Sequence, residues 1–221
     1  GDYEQKWTPM GASSSAAFTG DFDGSGKTIT GLYMDGEDAI SGLFGYVGKT
    51  GSIHDLTIAD ASVRSTKAGT YSEKTVYAAL VAASNAGTIS SVTLKNSKVS
   101  GGYIVGGVVG QNSGTVTGCA NESAVVEQNA AKDAGVGGIV GNNEATVSVS
   151  YNKAHIVRGH DNLRYSYLGG IVGNNSSNTS VIESCYNWGE IDTAYYTGGI
   201  VGKARGKVTY CYSVGKVSSD K

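Results

Sequence analysis

The chain has 221 residues and a formal net charge of −2, with 16% charged residues, 34 glycines and one proline. So few basic residues argue against a nucleic-acid partner, because binding phosphates requires positive charge. No apolar run reaches the roughly 18 residues of a transmembrane helix, so we expect no membrane insertion.

Residues 1–39 are interpreted as an N-terminal lead-in and capping segment that precedes a repeat region at 40–221 within one domain. The stretch from Asp21 to Gly26 is similar to the start of a calcium-binding loop. Position twelve counted from Asp21 is Leu32 and not Glu, so an EF-hand is excluded. Calcium at another turn stays open, and we predict no metal site and no cofactor.

A block of small, apolar, apolar and small residues recurs along the rest of the chain. Successive blocks are spaced by 37, 28, 31, 32 and 29 residues, which indicates a repeat architecture. The blocks begin at Gly42, Ala79, Gly107, Gly138, Gly170 and Gly199.

Each block is followed by a β-branched position that is occupied by Ile53, Ile89, Val116, Val147, Ile182 and Val208. Short β-branched segments separated by Gly, Asn and Ser are typical of strands and turns, and helical apolar spacing is not sustained. We predict three strands per repeat. The fold class is all-β, a right-handed parallel β-helix (β-solenoid) of about six turns of roughly 30 residues.

One ladder position within the repeats contains Cys119, Cys185 and Cys211. We interpret the cysteines as small inward residues. A metal site needs about four convergent ligands, and stacked side chains that point the same way disfavour a disulfide. A second position contains Asn121, Asn152 and Asn187, for which we predict a ladder of hydrogen-bonded side-chain amides.

The candidate ligand-binding residues are aromatic. Tyr151, Tyr186 and Tyr212 occupy the position next to the inward cysteines, so strand alternation directs them outward, and Trp188 follows closely. Exposed aromatic side chains on a rigid face can bind a sugar ring or a protein partner. The alternative is stabilisation between neighbouring rungs. Further tyrosines precede the later glycine blocks, at positions Tyr165, Tyr167, Tyr195 and Tyr196.

No catalytic motif is found. The histidines are scattered at His54, His155 and His160, and no serine-hydrolase or zinc-protease motif is present. Glu183, Glu190 and Asp192 could converge in space, which keeps an enzymatic alternative open. An ice-binding surface is disfavoured because no regular outward Thr-x-Thr array is evident on successive repeats.

The motif Gly-Gly-Ile-Val-Gly-Asn-Asn at 137–143 and 169–175, with Cys-Tyr-Asn-Trp-Gly-Glu-Ile at 185–191, resembles the GLUG repeat of bacterial surface proteins. The lead-in from Trp7 to Gly11 and from Phe18 to Leu32 is similar to the segment before such repeats. That family includes adhesin-like proteins and non-catalytic regions of secreted peptidases that cleave IgA. The resemblance implies a bacterial protein that is extracellular or attached to the cell surface.

We therefore expect a non-enzymatic module that acts in adhesion, in binding of a host glycan or glycoprotein, or as a rigid stalk. The alternatives are an accessory domain of a secreted IgA-type peptidase and a carbohydrate-active β-helix enzyme. The sequence stops after the second strand of its last repeat, so we expect further domains of the same polypeptide to cover that rung.

Overall fold

The computed structural model describes residues 6–67, 75–101, 103–128, 135–159, 166–192 and 195–218. These residues form a β-solenoid of about five turns of about 31 residues, in which equivalent strands of successive turns pair in parallel. The predicted all-β solenoid is confirmed. The structure has about five turns where the sequence predicted about six. The right-handed coil direction stays a prediction.

The strands form four parallel sheets, which we number in the order the chain meets them within a turn. The first sheet contains β3 (Ile40–Ser41), β7 (Tyr77–Ala79), β11 (Ile104–Gly106), β16 (Gly135–Gly137), β21 (Tyr167–Gly169) and β26 (Tyr196–Gly198). The second sheet contains β4 (Phe44–Val47), β8 (Ala82–Asn85), β12 (Val109–Asn112), β17 (Val140–Asn143), β22 (Val172–Asn175) and β27 (Val201–Ala204).

The third sheet is the broadest, and from the third repeat onward, which begins at Gly107, each turn crosses it as two short strands. It contains β1 (Asp21–Thr30), β5 (Ser52–Ala59), β9 (Thr88–Lys95), β13 (Thr115–Thr117), β14 (Ala120–Asn121), β18 (Thr146–Ser148), β19 (Tyr151–Asn152), β23 (Val181–Glu183), β24 (Tyr186–Asn187), β28 (Lys207–Thr209) and β29 (Tyr212–Ser213). The fourth contains β2 (Tyr33–Gly36), β6 (Ser62–Ser65), β10 (Lys98–Gly101), β15 (Val125–Gln128), β20 (Ile156–Arg158), β25 (Ile191–Asp192) and β30 (Val217–Ser218). One 3-10 helix, Ser14–Ala16, precedes β1.

The prediction of three strands per repeat is therefore wrong, because four sheets surround the core. The glycine-rich block is not one strand. In the turn that begins at β16, Gly138 and Ile139 lie between β16 and β17, so the block contains a corner that divides an apolar run into two strands.

Strand register also corrects the alignment of the repeats. Ala79 pairs with Gly106 and Ala82 pairs with Val109, so the second block is displaced by one residue from the alignment predicted above. In the fourth sheet Val99 pairs with Val126, which is buried, and not with its neighbour Val125. A shift of one residue inverts which side chains face the core, so register decides both positions.

The core is a set of apolar columns that run along the solenoid. One column on the third sheet stacks the predicted β-branched residues in register, and five of these side chains are completely buried. They are Ile53, Ile89, Val116, Val147 and Ile182. Burial of a Val or Ile side chain stabilises by about 1.5–3 kcal/mol, so these columns hold successive turns together.

Part of the lead-in extends the ladders. β1 pairs with β5 and β2 pairs with β6, so residues 21–36 add strands to the third and fourth sheets. The rings of Phe18 and Phe22 lie 5.0 and 5.3 Å from that of Phe44, between centroids. These contacts cover the interior at the first turn.

The third sheet bends at one equivalent position in each later turn. Gly118, Val149, Ser184 and Tyr210 have φ angles of 62°, 50°, 53° and 54°. Left-handed backbone suits glycine and strains a β-branched residue such as valine. This bend separates β13 from β14 and β18 from β19, and the residues that follow it directly, such as Cys119 and Cys185, are buried in the core.

Candidate functional site

The four predicted ligand-binding residues lie together on the outer face of the third sheet. Tyr151 pairs with Tyr186, and Tyr186 pairs with Tyr212, so the three tyrosines occupy one column on successive rungs. Trp188 is 50% exposed and Tyr212 is 52% exposed, whereas Tyr151 and Tyr186 are partly buried. We call these four residues the aromatic face.

The three tyrosine rings stack on one another. The ring centroids of Tyr151 and Tyr186 are 4.8 Å apart with planes inclined by 5°, and those of Tyr186 and Tyr212 are 5.4 Å apart at 10°. Trp188 lies 5.3 Å from Tyr186 and is tilted by 48°. Both faces of Tyr186 are thereby covered, so this ring stabilises neighbouring rungs. The exposed aromatic surface belongs to Trp188 and Tyr212.

Charged residues surround the start of the stack. The Tyr151 hydroxyl donates a short hydrogen bond to Glu122, and Lys153 Nζ donates to the same carboxylate at 2.9 Å. Lys153 Nζ also lies 5.0 Å from the Tyr151 ring centroid and 5.5 Å from that of Trp188. The polar groups at the aromatic face are therefore an acid and a lysine, which the sequence reasoning had not identified.

This network changes the titration of its members. The hydrogen bonds from Tyr151 and then from Lys153 hold the pKa of Glu122 below its ordinary value. The hydrogen bond to Glu122, with burial second, raises the pKa of Tyr151 to about 12. At neutral pH the carboxylate is thus ionised and the phenol is protonated, so the pair keeps the Tyr151 ring in place.

The cysteine column faces the core, as predicted. Cys119 and Cys185 are buried, Cys211 is partly buried, and all three thiols are free. Cys211 Sγ accepts a hydrogen bond from the Cys185 backbone N–H at 3.4 Å. Burial raises the pKa of both Cys119 and Cys185 to about 12, so these thiols are inert.

The predicted asparagines are also inward. Asn121, Asn152 and Asn187 are completely buried, and Asn152 Nδ2 donates to Asn187 Oδ1 at 2.8 Å. Asn121 instead donates to the carbonyls of Ala124 and Gly138. The ladder is therefore present between two of its three members, and its amides are buried away from the aromatic face.

A longer amide ladder lies at the end of the second sheet and was missed in the sequence. Its side-chain amides bond in series at 2.9, 2.8 and 2.8 Å. The members are Asn85, Asn112, Asn143 and Asn175. An Asn five residues after the start of the blocks at Gly107, Gly138 and Gly170 was the available signal. At the next rung stands Ala204, and Asn175 Nδ2 is a buried donor for which the described residues offer no acceptor.

Two of the three carboxylates behind the enzymatic alternative have basic partners. Asp192 Oδ1 lies 2.8 Å from His155 Nε2, and Glu190 Oε1 lies 3.5 Å from Lys216 Nζ. Glu183 stands in the outward column of β23, in register with Ser148. His160 and Tyr165 lie outside the described residues.

Among the residues that the structure describes, one potential group of metal ligands lies together, although no metal site was predicted. Ligand atoms of Asp23, His54 and Asp55 lie within 4.8 Å of one another at the surface. His54 Nδ1 is 2.8 Å from Asp55 Oδ2, and its Nε2 is 3.2 Å from Asp21. The Asp55 hydrogen bond, and after it the nearby carboxylates, raise the pKa of His54 above its ordinary value.

Outward hydroxyls form two short rows on the third sheet, but of these rungs only that of β13 has the Thr-x-Thr pattern, so no regular array of that pattern recurs. The rows are Thr88, Thr115 and Thr146, and Ser90, Thr117 and Ser148. Ser148 Oγ donates to Thr117 Oγ1 at 2.9 Å, and Val181 and Lys207 continue the first row without hydroxyls.

The other predicted tyrosines belong to the first sheet. The Tyr167 and Tyr196 rings stack at 5.3 Å, and Tyr195 meets Tyr196 edge-on at 4.8 Å. Lys203 Nζ lies 4.8 Å from the Tyr167 ring centroid. These rings form a cluster separate from the aromatic face.

Comparisons with family models, with curated proteins and with solved structures find no match for this chain. In the part of the chain that the structure describes, no helix is long and apolar enough to span a bilayer.

Proposed function

We propose that this chain is a non-catalytic binding module of a bacterial secreted or cell-surface protein, and that its aromatic face binds a host glycan or glycoprotein. The observation that carries the proposal is the exposed pair Trp188 and Tyr212 beside a rigid stack of tyrosines. The surface location rests on the GLUG-like motifs.

The stack supports binding because it fixes ring positions before a ligand arrives. Tyr186 lies between Tyr151 and Tyr212 and also contacts Trp188, so the two exposed rings lose little freedom on binding. Rigid aromatic anchors contribute large contact area at low entropic cost. The buried Asn152 and Asn187 amides do not assist, whereas Lys153 and Glu122 can bond ligand hydroxyls.

A glycan array followed by isothermal titration calorimetry tests the proposal. We expect Trp188→Ala and Tyr212→Ala each to weaken binding at least tenfold. Tyr210→Asn is the matched control, because Tyr210 is 82% exposed and Asn tolerates its left-handed backbone. If the wild-type chain binds no glycan and no host glycoprotein, the binding proposal is wrong and the rigid-stalk alternative is favoured. Cleavage of a bound glycan would favour the enzymatic alternative.

A further inference from the structure

A groove on a different face of the solenoid runs between the outer surfaces of the first and second sheets. It contains a pocket of about 490 Å³ whose floor is a column of side-chain amides from successive rungs. The amides belong to Gln111, Asn142 and Asn174, which are in register on β12, β17 and β22. We call this feature the amide groove.

Glycine makes the groove concave. A Cβ built on Gly141 would lie 2.6 Å from Ile104 Cγ2 and 2.9 Å from the Val105 carbonyl oxygen. Strand β11 of the preceding turn therefore packs directly over the backbone of β17. The two sheets meet at an inward corner, and outward side chains from both sheets face each other across it.

The floor contains polar atoms without partners. Asn142 is 7% exposed, and its Nδ2 donates to Gln111 Oε1 at 2.8 Å. Its Oδ1 and that of Asn174 are buried acceptors for which the described residues supply no donor. Buried unpaired polar atoms are rare in native proteins, so these two need an explanation. Rotation about the soft χ2 torsion can turn the Asn174 oxygen toward a ligand in the pocket, and the same rotation of Asn142 exchanges its hydrogen bond to Gln111 for one to the ligand.

The walls and charge of the groove restrict the ligand. Tyr77 and Ile104 form an apolar wall, and Gly135 has no side chain to cover Asn174. A Cβ built on Gly135 would lie 3.6 Å from Asn174 Cβ. Glu144 supplies one carboxylate, and the described lining residues include no lysine or arginine. An anionic ligand would find no counter-charge in this pocket.

We propose that the amide groove binds a neutral saccharide chain that lies along the solenoid axis. Sugar hydroxyls supply the donors that the two amide oxygens lack, and the apolar ring faces fit against Tyr77 and Ile104. An extended peptide fits less well, because its N–H groups on one side recur every 6.6–6.8 Å or so, while the rungs recur at about 4.8 Å. This second site does not depend on the aromatic face.

The test measures binding and stability together. A panel of neutral oligosaccharides of at least six sugars is compared with acidic glycans and with unstructured peptides by calorimetry. We expect Asn174→Val to weaken neutral-saccharide binding at least tenfold and to raise the Tm of the free protein, because it removes an unpaired buried acceptor. Asn142→Ser serves as a second variant with the same loss of binding expected.

Ser84→Val is the matched control, since Ser84 occupies the same outward column one rung before Gln111. It should change neither binding nor the effect of Asn174→Val. Loss of binding by Trp188→Ala but not by Asn174→Val would overturn the groove and leave the aromatic face standing. The inference is also overturned if wild type prefers acidic glycans or peptides, binds no saccharide, or if Asn174→Val lowers the Tm.

Discussion

One outward column of the third sheet has two different halves. Thr28, Thr57 and Thr93 occupy its first rungs in register, and after Ala120 the same column continues with the tyrosines. The inward neighbours are buried over the middle rungs, from Leu56 and Val92 to Cys185. The inward columns therefore maintain the fold, while the outward column can change its residue type along the solenoid without loss of the inward packing.

The largest expected effect comes from breaking an inward column. Asn112 forms side-chain hydrogen bonds with Asn85 and Asn143 on the two adjacent rungs. Asn112→Ala removes both hydrogen bonds at a buried position. Since each buried polar group left unsatisfied costs about 1–3 kcal/mol, we expect unfolding free energy to fall by about 3 kcal/mol. Urea denaturation measures it.

The outward control for this change is Thr93→Ala, for which we expect a loss of about 0.5 kcal/mol or less. Equal losses for Asn112→Ala and Thr93→Ala would contradict the distinction between inward and outward columns.

Substitutions at the bend in the third sheet should change the free energy of unfolding by a smaller amount, with opposite signs at two equivalent positions. Gly118 and Val149 occupy the same position on adjacent rungs with φ angles of 62° and 50°. A residue held in this region costs about 1–3 kcal/mol. We therefore expect Val149→Gly to stabilise and Gly118→Val to destabilise, each by about 1 kcal/mol, in thermal and urea unfolding.

Space around the bend does not oppose the second substitution, because a Cβ on Gly118 would have no neighbour closer than 3.6 Å. Backbone conformation alone should therefore set both signs. Destabilisation by Val149→Gly would show that valine side-chain contacts outweigh the strain.

The smallest effect concerns the tyrosine half of the column. Tyr151 and Lys153 lower the pKa of Glu122 in the folded chain. Their hydrogen bonds to this carboxylate therefore stabilise the fold at pH values above 4.5, the ordinary pKa of Glu. That contribution is lost as pH falls through the lowered pKa. Tyr151→Phe removes the first cause, and we expect a loss of a few tenths of a kcal/mol at pH 7 and less below pH 4, by urea denaturation across pH.

Lys153→Met is the companion variant, since it removes the second cause and keeps the apolar stem. A pH dependence of stability that neither substitution changes would contradict the assignment of the lowered pKa to this network.

Much of the fold followed from the sequence because repeat spacing and β-branched positions such as Ile89 and Val116 report directly on stacking. The inward cysteines and Asn152 followed from the same alternation. The block at Ala79 was misaligned because neighbouring alanine and leucine leave the register undetermined. The amide groove was missed because it depends on how closely β11 approaches Gly141 across a corner, and spacing along one chain does not encode that approach.

The most direct test of the central claim replaces the three tyrosines of the outward column by threonine, the residue found on the first rungs of the same column. In the triple variant Tyr151→Thr, Tyr186→Thr and Tyr212→Thr, we predict retained β-sheet circular dichroism and one cooperative unfolding transition. Calorimetric titration with the glycan identified for wild type should show affinity reduced at least tenfold. Unfolding of the variant, or an unchanged affinity, would contradict the claim that inward columns maintain the fold and outward aromatics bind the ligand.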